Sequence, residues 1–146
     1  MEAKTISILL GGILPAILFG VAGIFQKLSS QTTISTGAYL MTIGVGTVIM
    51  GGVFMLVQKN ATFPANGMLY AGLYALFWTI GMAGIALALQ KYGGQISQLV
   101  PLYNMNTLVT VVIGLILLAE WHTVNSGKLL LAAILVIIGG VLAATA

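Results

Sequence analysis

Five apolar stretches fill almost the whole of this chain, and its few charges fall almost only in the gaps between them. The stretches cover residues 5–26, 37–58, 68–90, 96–119 and 129–145. Each is roughly 20 residues long, enough for an α-helix to cross the hydrocarbon core of a bilayer. Charged residues make up 5% of the chain and hydrophobic ones 60%, whereas a soluble domain carries about a quarter charged residues. One soluble core of this length has no room for so much apolar surface. The sequence therefore predicts an all-α integral membrane protein. Residues 1–146 are expected to form one domain of five transmembrane helices in a compact up-down bundle. The first stretch is longer than the apolar region of a cleavable signal and lacks a small-residue cleavage site after it, so it is expected to be retained.

The linkers expected between the stretches, 27–36, 59–67, 91–95 and 120–128, are short, which implies antiparallel neighbours. Gly93-Gly94 suits a tight turn, Pro64 ends an extended segment, and Thr123 and Asn125 are both placed to cap the fifth helix. Five crossings put the termini on opposite sides. Lys4, Lys59 and Lys128 then share one side and Lys27 and Lys91 the other. Positive charge at helix ends normally fixes orientation, and a split of three against two is almost no instruction. Two readings stay open: a weak preference for the N-terminus inside, or dual topology, with copies inserted both ways up and paired as an antiparallel homodimer. The second rebuilds the inverted-repeat plan of secondary transporters, whose substrate site lies at the repeat interface near the midplane. The net charge of +3 comes from scattered lysines, and without a basic patch it predicts no nucleic-acid partner.

Two segments carry a resemblance. The first is Gly11-Gly12-Ile13-Leu14-Pro15-Ala16-Ile17-Leu18-Phe19-Gly20, running on to Gln26-Lys27. The second is Pro101-Leu102-Tyr103-Asn104-Met105-Asn106, continuing through Gly114, Leu118-Ala119-Glu120, Asn125, Gly127 and Gly139-Gly140. Together they resemble the EamA-type half of the drug/metabolite transporter superfamily. Such halves open with an aromatic-Gly pair and a lysine at the end of the first helix. They close with a proline in the fourth helix, a Gly-Glu-like end to it and a Gly-rich fifth helix. Here Ala119 precedes Glu120 where many relatives have glycine. Most relatives carry two inverted halves in one chain, and this chain carries one. The resemblance thus implies one inverted-repeat half that works as a homodimer or pairs with a separately encoded half. It places the protein in the inner membrane of a prokaryote, as a multi-pass protein.

Polar residues at membrane depth are costly and usually face a bundle interior or a cavity. The fourth stretch is the richest in them. Tyr103, Asn106, Thr107, Thr110 and Gly114 recur at helical spacing, and Ser97, Pro101 and Asn104 make a neighbouring face. Pro101 removes a backbone bond and is expected to free the carbonyl of Ser97. Freed backbone groups in membrane helices tend to line cavities. With Gln98 near its start, this double face reads as a polar substrate path, or as interhelical glue with a simple kink. In the third stretch Tyr74 and Trp78 are further substrate candidates. Trp78, near mid-membrane, suits stacking on a ring-bearing ligand as well as packing. In the first, Gly12, Ala16, Gly20 and Gly23 make a small-residue face suited to close helix packing, and Pro15 is placed to bend the helix. The second stretch, with Gly44, Gly46 and Gly51-Gly52, suits tight packing or flexing. The fifth, almost free of polar side chains, reads as a packing or dimerisation helix. Gln26 and Lys27 at the end of the first helix, and Glu120 at the end of the fourth, are candidates for a gate or charge site. Glu120 reads first as a structural loop group whose charge the dipole of the fifth helix favours, with a proton-sensitive gate as its alternative.

No acid or histidine lies deep in any stretch, and a proton relay of the usual kind needs one. Proton-coupled export of cationic drugs is therefore disfavoured. Facilitated diffusion, or coupling through Glu120 or the substrate, fits better. No paired carboxylates, Ser-His set, phosphate loop or metal-ligand cluster is legible, so neither enzyme chemistry nor a cofactor is expected. The absence of cysteine excludes disulfides, iron–sulfur clusters and thiolate metal sites. The sequence thus predicts a transporter of a small polar or amphipathic metabolite, working as a homodimer in the lipid bilayer by alternating access around a site on the third and fourth helices. Its alternative is a non-transporting accessory subunit that pairs with a partner.

Overall fold

The computed structural model describes residues 3–59 and 61–146. Among them there is no strand, and five helices are long and apolar enough to cross a membrane. We label them α1 (Thr5–Ser30), α2 (Thr36–Gln58), α3 (Ala65–Lys91), α4 (Ile96–Leu117) and α5 (Ser126–Ala144). They fall into two compact units, residues 1–93 with α1 to α3 and residues 94–146 with α4 and α5.

Several helices run past their apolar stretches, α1 and α3 the furthest. α1 continues through Gln26 and Lys27 to Ser30, a correction to a linker expected from residue 27. Its last turn is held by polar groups that hydropathy does not register: the Ser30 hydroxyl donates to the Lys27 carbonyl at 2.6 Å. α3 starts at Ala65, directly after Pro64 in extended conformation. Two side chains cap helix starts. Ser35 accepts from the Ala38 amide at 3.3 Å to start α2. Asn125, not Thr123, caps α5, accepting from the Lys128 amide at 3.0 Å. The Thr123 hydroxyl instead donates to the Glu120 carbonyl at 3.0 Å.

Near its start α1 widens into a π-turn over Leu9–Ile13, closed by the Leu14 amide on the Leu9 carbonyl. Pro15 explains it. A proline has no N–H for the carbonyl four residues back, here Gly11, and its ring crowds that carbonyl. A wider turn moves the carbonyl aside, and π-turns of this kind sit inside otherwise regular helices.

In the first unit, α3 packs against both α1 and α2. Its buried residues are Gly23 and Gln26 of α1, Tyr39 of α2, and Ala86 and Leu89 of α3. All lie at one end, where α1 finishes, α2 begins and α3 finishes. The Thr36 hydroxyl joins α2 to α3 there, donating to Gln90 Oε1 at 2.7 Å. Farther from that end the chain leaves the three helices uncovered. Gly12 and Gly20 have open space beside them, as do Gly44, Gly46, Gly51 and Gly52, so of the small-residue face expected on α1 only Gly23 is buried. A shallow apolar groove lined by Leu40, Met41, Gly44, Val45, Val48 and Ile49 runs along α2.

In the second unit α5 packs along both halves of α4. Ala133 and Gly140, two turns apart on one face of α5, are buried. A methyl group on Gly140 would sit 2.9 Å from the Pro101 carbonyl oxygen and 3.3 Å from Met105 Cγ. Only a residue without Cβ permits this approach, the close packing that small residues provide inside membranes.

Candidate functional site

The feature that most distinguishes α4 is a break. It consists of two helices, Ile96–Tyr103 and Asn106–Leu117, separated by Asn104 and Met105. The sequence placed the irregularity one turn before Pro101, at the carbonyl of Ser97. In the structure the first helix continues through Pro101, and a further irregularity follows three residues later. Asn104 and Met105 adopt ψ of −10° and −14°, tighter than an α-helix and close to the 3-10 range. The bonds shorten accordingly. The Met105 amide pairs with Leu102 at 3.0 Å, Thr107 with Asn104 at 3.0 Å and Leu108 with Met105 at 3.1 Å. Met105 thus leaves the Pro101 carbonyl, which faces Gly140 of α5 instead.

The break falls within the span. The piece before it is eight residues long, so it lies roughly 12 Å along the helix axis. Four of the expected substrate residues cluster there. Tyr103 and Thr107 are half-buried, while Asn104 and Asn106 are uncovered. The Thr107 hydroxyl donates to the Asn104 carbonyl at 2.8 Å, so that carbonyl takes both an amide and a hydroxyl. Gln98 is half-buried one helix piece earlier and Thr110 is uncovered one turn later. Burial thus varies along the expected double face.

The other candidates divide as follows. Tyr74 and Trp78 lie on α3 and are 70% and 42% exposed, uncovered by the chain. Gln26 is the one buried polar residue among those described, 7% exposed, and its Nε2 has no hydrogen-bond partner. Lys27 is half-buried beside it in sequence. Glu120 follows Ala119, whose backbone is left-handed at φ 54°. An L side chain resists that conformation and glycine accepts it. A 3-10 turn over Glu120–His122 follows, with the rings of Trp121 and His122 edge to face at 5.6 Å. The Glu120 carboxylate folds back over the last turns of α4, where a methyl on Gly114 would lie 3.1 Å from its Oε2. Its carbonyl accepts from the Thr123 and Val124 amides at 2.9 and 3.2 Å. These contacts suit a loop anchor.

Two features escaped the sequence. The contact of Gly140 with the Pro101 carbonyl pairs positions 39 apart, and no local pattern reports it. The burial of Gln26 had a weak signal: it follows Gly23 by three residues, on the same face of α1.

No family model matches the chain, nor does any curated protein or solved structure.

Proposed function

We propose that this protein is a membrane transporter for a small polar or amphipathic metabolite, built as an EamA-like inverted-repeat half and working as a pair of oppositely inserted copies by alternating access. The observation that carries the reading is the break in α4. Irregular backbone inside a membrane span is tolerated where it is buried in protein or lines a water-filled cavity, and discontinuous helices form the substrate sites of many secondary transporters. Here the break gathers Tyr103, Asn104, Asn106 and Thr107, which offer a phenol, two amides and a hydroxyl without any charge. Such a set suits a neutral polar ligand. Trp78 of α3 is a separate candidate for an aromatic contact. The near-even lysine split supports insertion both ways up. The resemblance points to the inner membrane of a prokaryote.

The test is flux in proteoliposomes, screened with neutral sugars, amino acids and nucleosides. Alanine at Tyr103, Asn106 or Trp78 should lower the flux of the transported class at least tenfold with incorporation unchanged. Unchanged flux in all three variants would remove the site assignment. The second reading, an accessory subunit, draws on the uncovered apolar length of α2, none of whose membrane window is buried. Copurification of a stoichiometric partner chain without a homodimer would favour it.

A further inference from the structure

The packed end of the first unit combines three observations. It contains every buried residue among those described in that unit. Small residues, Gly23 and Ala86, let its helices close. Enclosed within it is a polar group that the closed packing leaves unsatisfied, the Nε2 of Gln26. A buried donor without an acceptor destabilises the state that buries it, and in a membrane protein such a group is normally paired or wet. Burial without a partner is therefore a force toward separation, because parting the helices admits water to the amide. Opposing it is the Thr36–Gln90 bond between α2 and α3. Only one turn separates Thr36 from the buried Tyr39, and Gln90 directly follows the buried Leu89, so this bond lies at the rim of the same packed layer.

We infer that this end of the first unit is a gate, latched by the Thr36–Gln90 hydrogen bond and biased toward opening by the unsatisfied amide of Gln26. The inference rests on the transporter reading, to which it adds a moving element within the first unit. It gives Gln26 and Thr36 opposite roles. Removing the amide steadies the closed state. Removing the hydroxyl loosens it.

The experiment reads opening directly and needs no substrate. The chain has no cysteine, so a single one in place of the buried Leu89 reports water entry. Its rate of reaction with a membrane-impermeant maleimide is measured in open membrane fragments. Gln26→Met should slow labelling roughly tenfold, as expected for removing one orphaned donor. Thr36→Val should speed it about threefold, the scale of an interhelical hydrogen bond in a membrane. A control cysteine at the exposed Tyr92 should label equally in all backgrounds, which separates gating from misfolding. Unchanged or faster labelling with Gln26→Met, or no acceleration with Thr36→Val, overturns the gate. Flux in proteoliposomes is measured separately. Absent flux with the opposed labelling effects intact overturns transport while leaving an opening seam, and present flux with unresponsive labelling overturns the gate alone.

Discussion

The contact of Gly140 with α4 makes a sharp quantitative prediction, because its neighbour Gly139 supplies an internal control. In Gly140→Ala the new methyl would lie 2.9 Å from the Pro101 carbonyl oxygen, about 0.5 Å short of ordinary contact. That oxygen belongs to helix backbone and has no rotamer to escape into. Met105 Cγ at 3.3 Å closes the neighbouring direction. The helices must part along a seam that also contains the buried Ala133. Overpacking of this kind typically costs about 1–3 kcal/mol. In Gly139→Ala the methyl meets nothing within 4 Å, so its effect should stay within about 0.5 kcal/mol. Unfolding by SDS in mixed micelles, followed by circular dichroism, measures both. Gly140→Ala should unfold at clearly lower SDS fraction, and Gly139→Ala with the wild type. Equal behaviour of the two variants would refute the packing of α5 on α4 described above.

Two stability predictions use the same assay. Ala119→Gly should stabilise by about 1 kcal/mol, because Ala119 holds a left-handed backbone that costs an L residue about 1–2 kcal/mol; no gain would mean that the end of α4 has another conformation. Asn125→Ala removes the side chain that accepts from the Lys128 amide and should cost about 1 kcal/mol, the usual value of an N-cap.

Hydropathy made the five spans legible because the bilayer imposes length and polarity on each helix separately. Local chemistry also showed through where it acts over a few residues, as at Asn125 and at the Gly93 turn, whose φ is 67°. What depends on a second helix did not. Pro101 signalled an irregularity, but its position at Asn104–Met105 goes with the packing of the Pro101 carbonyl on Gly140. Gly12, Gly20 and Gly23 of α1 read as packing residues and the glycines of α2 as packing or flexing, yet of them only Gly23 is buried by the chain. Glycine spacing marks a face that can be approached closely without saying what approaches it. Gln26 read as a helix-end residue because its linker was expected to start at 27, and the extension of α1 to Ser30 places it inside the span instead.

The central claim, a transporter built from two oppositely inserted copies, is tested most directly by the orientation of the C-terminus. A single cysteine at Ala144, at the end of α5, is labelled in intact cells with a membrane-impermeant thiol reagent, before and after permeabilisation. About half of the protein should label from outside, as expected when lysine bias gives no instruction. Labelling of all of it or of none would contradict insertion in both orientations, and with it the inverted homodimer.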